Sequence, residues 1–505
     1  MVPSLTFLFN SSIKTSIYPS LWKLAYIIPL NKITQPKTPN DTRPIANLSH
    51  ISKAFVKILS SQIIQYLENN KLLDKYQFGF RRAHSTQSAL LNLLEHIRRA
   101  IDNKQVVILI LFDFSKAFDS LDHKTLLLRL RECGFSDNTI AWVHSYLTGR
   151  QQTIVDLNGE PSNYLGTTSG VPQGSSLGPI LFLIYINSIV NVIMFCKRGI
   201  FADDLQIYLQ TSVNDIHESL KKVSADANAV INWARGNGLT PNLMKTKAII
   251  FGSDHYLKIL NSLQIYSINI DGSYVPFEQT VKNLGVTLSN NLSWQAHVNS
   301  LVRKVNGSLF RLRYHSDILS IELRKTLVQA LIIPIVDYCC ILMSDITKEL
   351  DTKIQILINH TIRYIYKLRR DANITQYRLR LSWLDVKSRR DYFITIYFYK
   401  LMFIYNPPCF NEFLVVIRRD SEVTEGQDNR IFQSSQNFIV VRRSERISPV
   451  GTAELYLPHP STDYLYYSFF HCALRFWKTL PNNLQNINSL NTFRLQLFNY
   501  LLNRN

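Results

Sequence analysis

The 505-residue sequence is poor in cysteine, glycine and proline. Its six cysteines form no C-x-x-C pair and no matched histidine pair completes a zinc pattern, which argues against a structural zinc site and a disulfide framework. With 17 glycines and 18 prolines, the chain is neither collagen-like nor of low complexity. We therefore expect reduced thiols in an intracellular protein.

Targeting and membrane-spanning signals are also missing. The N-terminal stretch lacks the basic residues and the long apolar core of a signal peptide. The longest apolar segment, residues 177–196, is interrupted by Gly178, Pro179 and three polar residues, whereas a spanning helix needs about 20 consecutive apolar residues. The pattern predicts a buried helix and no membrane partner.

Acidic residues are scarce relative to basic ones. Lys and Arg number 56 against 37 Asp and Glu, which gives a formal net charge of +19. Because 46% of the residues are hydrophobic, the chain can bury cores, and wholesale disorder is excluded. Its length allows two to four domains of roughly 100–200 residues. Such a charge on a folded chain indicates a polyanionic partner. Nucleic acid is the first candidate, and an anionic membrane surface is the second.

The periodicity of apolar residues predicts a mixed first part and a mostly helical second part. Predicted helices cover 45–67, 87–100, a segment ending at Leu130, 215–235 and 490–502. Predicted strands cover 247–251 and 106–112, and the continuous apolar run of the latter predicts burial on both faces. Residues 34–44 favour a loop or an irregular edge hairpin, and residues 198–209 favour a strand, a turn and a strand. Residues 420–463 are polar and poorly periodic, which is typical of a linker. The pattern predicts an α+β domain followed by helices.

Three carboxylates stand beside buried apolar elements. Asp113 ends the run VVILILF, and Asp203 and Asp204 form the centre of FADD. If the fold brought them together, they could hold two divalent cations for an in-line displacement at phosphorus. A lone Asp after a strand is more often a helix cap or turn residue, however, and Asp-Asp is ordinary hairpin chemistry. These residues alone leave both interpretations open.

The runs that surround these carboxylates carry a specific resemblance. The chain reads DFSKAFD from Asp113, SGVPQGSSLGP from Ser169 and FADD from Phe201, with QFGFRRAHST from Gln77 and KNLGVTLSNNLSW from Lys282. In order and spacing these runs resemble the reverse transcriptase motifs of non-LTR (LINE-type, jockey-like) retrotransposons. The resemblance covers roughly residues 20–300 and continues more weakly to the C-terminus.

The resemblance implies an α+β right-hand polymerase. Fingers would cover residues 1–105 and be incomplete at the N-terminus. A palm of antiparallel sheet plus helices, with motifs A to E, would cover 106–290. A basic helical thumb would cover 291–400, and an α-rich C-terminal region 401–505. No segment matches the endonuclease domain of such elements, so the expected chain is a copy that lacks it.

The resemblance also assigns roles to residues. Asp113, Asp203 and Asp204 would bind two Mg²⁺ ions, with Mn²⁺ as a possible substitute, and Lys245 would donate a proton to the leaving pyrophosphate. Phe118 would exclude a 2′-hydroxyl and so select deoxynucleotides. The other predicted substrate-binding residues are Lys32, Arg43, Arg81, Gly170, Gln173 and Gly174. Asp119 is expected to be structural, carried away from the ions by a helix.

The implied function is RNA-directed DNA polymerisation, with nucleotidyl transfer from a dNTP to a primer 3′-hydroxyl. The implied partners are an RNA template, a DNA primer or nicked target DNA, and dNTPs, in the nucleus or cytoplasm. The thumb residues that could contact duplex phosphates are Arg363, Lys367, Arg369, Arg370, Arg378 and Arg380, with a solvated helix face as the open alternative. Two alternatives stay open: a domesticated or decaying remnant that binds RNA without catalysis, and an RNA-templated RNA polymerase, against which Phe118 argues.

Overall fold

The structure is a computed structural model that describes residues 2–155, 160–404, 407–413, 415–417, 439–440, 454–457 and 459–504. The helices are α1 (Val2–Thr15), α2 (His50–Asn69), α3 (Thr86–Asp102), α4 (His123–Glu132), α5 (Asp137–Leu147), α6 (Leu177–Ile186), α7 (Ile216–Gly236), α8 (Asp254–Ser262), α9 (Gln295–Tyr314), α10 (Ile321–Leu331), α11 (Ile333–Asp337), α12 (Lys348–Tyr366), α13 (Thr375–Arg380), α14 (Val386–Phe403), α15 (Asp463–Tyr466), α16 (Phe469–Thr479), α17 (Asn482–Gln485) and α18 (Leu490–Asn503). The strands are β1 (Leu24–Asn31), β2 (Thr42–Asn47), β3 (Val106–Leu111), β4 (Phe114–Ser115), β5 (Gln151–Ile154), β6 (Leu165–Gly166), β7 (Lys197–Phe201), β8 (Asp204–Thr211), β9 (Thr240–Pro241), β10 (Lys247–Phe251), β11 (Ser267–Ile270), β12 (Ser273–Pro276), β13 (Thr280–Asn283), β14 (Val286–Ser289), β15 (Val415–Ile417), β16 (Ile439–Val440) and β17 (Glu454–Tyr456).

An antiparallel sheet of order β10-β3-β8-β7 joins two apolar cores. Side chains of β3 alternate between its faces, as the period of two in a strand requires. Val106 and Ile108 pack with α6 and α7, whereas Val107 and Leu109 pack with α3. The predicted burial of this strand on both faces is therefore confirmed. Because β3 lies in the interior of the sheet, the position of Asp113, two residues after the strand ends, is fixed as well.

A second sheet, of order β2-β1-β5-β6, forms one wall of a cleft. Strands β1 and β2 pair antiparallel around residues 32–41, as the predicted edge hairpin. Alternation along β1 gives it two different faces. Ala25 and Ile27 line the cleft, whereas Tyr26 and Ile28 are about half exposed on the opposite face.

The helical part of the chain packs onto the central sheet. Helices α9 to α12, α14 and α16 contribute to the same apolar core as α3. Across this contact the buried guanidinium of Arg98 lies 2.8 Å from Oδ1 of Asp345. The indole N–H of Trp294 donates to the same oxygen at 2.6 Å. A shared core and a paired buried charge thus connect the two parts.

Two predicted helices begin later than expected. Residues 45–47 belong to β2, where they pair with β1, and the helix starts at His50 after Ser49. Residues 116–120 form a turn, and α4 starts at His123 because the Asp122 carboxylate caps it at the Thr125 N–H, 2.7 Å away. Helix α5 was missed. The predicted helices 87–100, 215–235 and 490–502 and the predicted strands are confirmed within one or two residues.

Most of the predicted linker at 420–463 lies outside the described residues. Among the helices that the structure describes, none combines the length and the apolar character that crossing a bilayer would require.

Candidate active site

Asp113 stands at the end of the buried strand β3. The backbone N–H of Phe112 donates to the carbonyl of Leu205 at 2.9 Å, and the backbone carbonyl of Asp113 accepts from the N–H of Asn242 at 2.8 Å. These bonds fix the backbone on both sides of the carboxylate. The Asp113 side chain is 38% exposed, and its Oδ2 lies 3.8 Å from Nζ of Lys245.

The second pair of carboxylates sits on the hairpin between β7 and β8. Phe201 pairs with Asp204, which leaves Ala202 and Asp203 as a two-residue turn with Ala202 at φ +58°. Because β3 pairs with β8 so that Leu111 faces Gln206, the chain beyond β3 runs alongside this turn. The register therefore brings Asp113 next to the FADD turn.

Burial and mutual repulsion shape the charge of this site. Burial raises the pKa of Asp203, and the nearby charge of Asp113 raises it further, while Arg43 opposes the shift. Burial, then the charges of Asp203 and Asp113, raise the pKa of Asp204 to about 6. Carboxylates this close favour a cation between them, since a cation removes the repulsion.

The donor set suits a hard divalent cation. Asp113 and Asp203 line one cleft. Mg²⁺ prefers oxygen ligands, and a protein often supplies only one or two carboxylates, while water and substrate phosphates complete the coordination shell. Within the described part of the chain, no group of three or more His, Cys, Asp or Glu side chains is arranged to hold a metal by itself. Asp204 lines a smaller cavity of about 130 Å³ beside Asp113 and Lys245. Asp113 and Asp203 are therefore the residues that could share ions with a bound phosphate.

The cleft has a volume of about 920 Å³, and it is lined by strands of the second sheet, by Asp113 after β3 and by Asp203 in the turn between β7 and β8. The predicted site residues that the fold brings to it are Lys32, Arg43, Asp113, Phe118, Gly170, Gln173, Asp203 and Lys245. Lys32 and Arg43 come from the β1–β2 hairpin, and the charge of Arg43 acts on Asp203. Cations and carboxylates that line the same cleft are an arrangement that can bind a metal-complexed phosphate.

The loop from Gly170 to Gly174 is held by close backbone contacts. Gly170 has φ +77°, and a Cβ there would lie 2.6 Å from the carbonyl oxygen of Asp119, so only glycine fits. The side-chain amide of Gln173 donates to Oδ1 of Asp119 at 2.8 Å. The backbone carbonyl of Gln173 accepts from the N–H of Ala46 at 2.7 Å. The loop thus connects strand β2 to the turn at residues 116–120. Asp119 lies in a turn and not in the helix that was expected to carry it away.

The ring of Phe118 forms part of the cleft wall and is held on two sides. It stacks on Phe182 with ring centroids 4.4 Å apart and meets the edge of Phe80 at 6.2 Å. Val171 donates its N–H to the Phe118 carbonyl at 3.0 Å, which fixes the backbone as well. The ring therefore has a defined position beside the carboxylates.

Comparison with known proteins identifies the family. Residues 35–288, half of the chain, match the family described as reverse transcriptase (RNA-dependent DNA polymerase). The chain belongs to this family. The predicted likeness to jockey-like non-LTR elements and the α+β right-hand polymerase fold are confirmed.

The similar curated proteins are polymerases of mobile elements. The "Probable RNA-directed DNA polymerase from transposon X-element" of Drosophila melanogaster is 27% identical over 344 residues, 66% of this chain and 37% of the relative. The "RNA-directed DNA polymerase from mobile element jockey" of the same organism is 24% identical over 374 residues, 72% of this chain and 39% of the relative. The chain thus spans about two fifths of the length of these relatives. Among solved structures, apo telomerase from Candida tropicalis matches with 12% identity and a TM-score of 0.41, over 76% of this chain and 67% of that one.

Two residues that were predicted to contact substrate are engaged in contacts within this chain instead. Arg81 is buried, and its guanidinium pairs with Glu68 at 2.6 Å and donates to the carbonyls of Asp74 and Gln77. We therefore assign it a structural role in place of the predicted substrate contact. Gly174 packs against the β2 backbone, where a Cβ would lie 3.0 Å from the Ala46 carbonyl oxygen.

One of the predicted thumb cations is also unavailable to a ligand. Arg378 is buried, donates to the carbonyl of Trp383 at 3.5 Å and lies 4.0 Å from Asp385. Its place in the core excludes it from a phosphate-binding surface.

The sequence reasoning missed residues that line the same cleft. Lys116 is exposed at φ +50° and stands inside the DFSKAFD run, so its charge within that motif was an available signal. Gln151 and Gln152 come from β5, where nothing local in the sequence distinguishes them from other polar strand residues.

Proposed function

We propose that the chain is the RNA-directed DNA polymerase of a non-LTR retrotransposon. Its reaction would join the primer 3′-hydroxyl oxygen to the α-phosphorus of a dNTP and release pyrophosphate as the α–β bond breaks. The observation that carries the proposal is one cleft that contains the carboxylates Asp113 and Asp203 together with the cations Lys32 and Arg43. Family membership of residues 35–288 supports the same reaction.

Asp113, Asp203 and Asp204 are the residues that would hold the divalent ions. A pair of Mg²⁺ ions, when bound, supplies activation of the hydroxyl and stabilisation of charge on the leaving phosphate, and Mn²⁺ is expected to substitute. Burial, then the charges of Asp203 and Asp113, raise the pKa of Asp204 to about 6, and a bound cation would offset the repulsion among the three carboxylates.

Cationic side chains have separate tasks in this proposal. Lys32 and Arg43, both exposed on the hairpin, would pair with the β- and γ-phosphates and orient the triphosphate. Lys245, 3.8 Å from Asp113, would give a proton to the leaving pyrophosphate.

Phe118, Gly170 and Gln173 would set nucleotide selection. The Phe118 ring, fixed by stacking on Phe182, would leave no space for a 2′-hydroxyl and so select deoxynucleotides. The close backbone at Gly170 would let template and nucleotide approach. Gln173, whose side-chain amide donates to Asp119, would hydrogen-bond near the base or the template sugar.

The proposed division of the chain is fingers 1–105, palm 106–290, thumb 291–400 and a C-terminal region 401–505. Nucleic acid is the proposed partner class: an RNA template and a DNA primer or nicked target DNA, with dNTPs as substrate. Of the thumb cations, Arg363, Lys367, Arg369, Arg370 and Arg380 stay candidates for phosphate contacts. Such contacts would weaken steeply with salt.

Primer extension on poly(rA)/oligo(dT) with Mg²⁺ and dTTP tests the proposal. Asp203→Asn is expected to lower the rate by on the order of 10³-fold, about 4 kcal/mol, because a carboxylate charge is lost from the cation site. The matched control is Asp137→Asn, at a side chain 90% exposed that pairs with Arg131 on the surface. The control should keep the wild-type rate.

Two outcomes would contradict the proposal. A wild-type rate in Asp203→Asn would remove the carboxylates from the reaction. No incorporation by the wild-type chain, with RNA binding retained in a filter assay, would select the non-catalytic remnant instead.

A further inference from the structure

The segment Gln77–Phe80, with sequence QFGF, is attached to the strand that carries the FADD turn. The Phe78 N–H donates to the carbonyl of Ile200 at 2.7 Å, and the Ile200 N–H donates to the carbonyl of Tyr76 at 2.9 Å. This short parallel bridge lies beside β7, two residues before the turn. The segment therefore adds to the edge of the central sheet.

The Gln77 side chain reaches the turn itself. It is 2% exposed, and its Oε1 accepts from the N–H of Gly79 at 2.8 Å and from the N–H of Ala202 at 3.1 Å. Ala202 has φ +58° and directly precedes Asp203. One buried oxygen thus holds the backbone of the segment and the backbone of the turn together.

Gly79 permits this contact. A Cβ at this position would lie 2.4 Å from the backbone nitrogen of Ala202, a distance that real Cβ atoms essentially never show. Any other residue here would push the turn away from the segment. Arg81 fixes the segment from behind, because its guanidinium donates to the Gln77 carbonyl at 3.1 Å while it pairs with Glu68.

Phe80, at the other end of the segment, touches the cleft wall. It has φ +54°, a region in which a bulky residue is strained, and it is 49% exposed. Such a conformation persists only where the surroundings determine it, and it is commonest at functional sites. The Phe80 ring meets Phe118 edge-on at 6.2 Å with an interplanar angle of 89°.

We propose that Gln77–Phe80 is a positioning element of the polymerase site, in which Gln77 fixes the FADD turn and Phe80 fixes the ring of Phe118. It rests on the proposed function and deepens it. One four-residue segment thereby sets the distance between the carboxylates that hold the cation and the ring that selects the sugar. Neither residue touches the reacting atoms; each acts through the group that it supports.

Gln77→Met tests the contact to the turn, because it keeps the side-chain length and removes the acceptor oxygen. We expect kcat on poly(rA)/oligo(dT) to fall about 10²-fold with the KM for dTTP and the preference for dTTP over UTP little changed. Mn²⁺ binding to the protein without nucleic acid, measured by electron paramagnetic resonance, should weaken. Gln77→Glu keeps an acceptor and should lie between the wild type and Gln77→Met in both measurements.

Phe80→Ala tests the contact to the ring. We expect the preference for dTTP over UTP, as a ratio of kcat/KM, to fall about tenfold while kcat for dTTP stays within threefold of the wild type. Phe195→Ala is the matched control, since Phe195 is also 49% exposed and lies outside the residues that line the cleft. It should leave the ratio unchanged.

The outcomes separate this inference from the proposed function. If the wild-type chain extends primers, wild-type kcat in folded Gln77→Met or a wild-type sugar ratio in Phe80→Ala overturns the inference alone. If the wild-type chain extends no primer, the proposed function fails, and unchanged Mn²⁺ affinity in Gln77→Met overturns the positioning role as well. If circular dichroism shows that Gln77→Met does not fold, Gln77→Glu and Phe80→Ala decide.

Discussion

Acidification is expected to destabilise the contact between helix α9 and strand β14 through His297. This side chain is buried, and its Nδ1 accepts a hydrogen bond from the N–H of Thr287, 3.3 Å away. Burial, with a smaller effect of the Lys304 charge, lowers the pKa of the imidazole to about 4. Protonation would put a donor where the Thr287 N–H needs an acceptor, so the folded state keeps His297 neutral.

The sign and size of the effect follow from the two pKa values. In the unfolded chain a histidine has a pKa of about 6.5, so between pH 6.5 and about 4 the unfolded state binds more protons. The contribution of His297 is therefore complete above pH 6.5 and is lost as the pH falls towards 4. The full difference is on the order of 3 kcal/mol, of which roughly 2 kcal/mol disappears between pH 7.5 and 5.0.

Thermal unfolding at pH 7.5 and 5.0 measures this loss. His297→Gln keeps a hydrogen-bond acceptor but does not titrate. Between these two pH values the Tm of the wild type should fall about 2 °C more than the Tm of His297→Gln. The conversion follows from the unfolding entropy of a chain this long, for which each kcal/mol corresponds to about 1 °C. The control is His255→Gln, at an exposed position on α8, which should behave as the wild type does. Equal losses in His297→Gln and in the wild type would refute the reasoning.

Three further substitutions test the Arg98–Asp345 ion pair, the close backbone contact at Gly170 and the ring of Phe118. Arg98→Met leaves the largely buried Asp345 carboxylate, 14% exposed, without its cation, so we expect a loss of about 3–5 kcal/mol. A second change, Asp345→Asn, should restore part of this loss in a double-mutant cycle of melting temperatures, and fully additive effects would show that the two side chains do not interact. Gly170→Ala is expected to cost roughly 1–3 kcal/mol and to slow primer extension, because the new Cβ meets the Asp119 carbonyl, whereas Gly307→Ala, with nothing within 4 Å, should not destabilise α9. Phe118→Ala should lower the preference for dTTP over UTP about 10–100-fold in kcat/KM, and an unchanged preference would disprove its assignment as the sugar-selecting ring.

The geometry of the carboxylates was predictable to a large extent. Asp113 follows a run of apolar residues that reads as a buried strand, and FADD reads as a hairpin turn, so both elements came from local patterns. Their juxtaposition did not come from those patterns. It required the order of the motifs along the chain, because the pairing of β3 with β8 joins residues about 100 positions apart.

Charged residues were predicted less well than apolar ones. Arg81 looked like a free cation in a motif, yet Glu68 and two carbonyls occupy its guanidinium. Arg378 looked like a phosphate contact, yet it lies in the core. Whether a cation is available depends on which acceptors the fold brings to it.

By itself, the sequence determined the helices at 87–100, 215–235 and 490–502, the two-sided burial of β3 and the chemical character of the cleft residues. These properties follow from the spacing of apolar residues and from side-chain chemistry, which act over a few positions. Only the tertiary structure decided that Gln77 bonds to the FADD turn, that Phe80 meets Phe118 and that Asp119 bonds to Gln173. A hydrogen bond or ring contact needs its two groups within a few ångströms, and for residues 38 to 125 positions apart that proximity is a property of the folded chain.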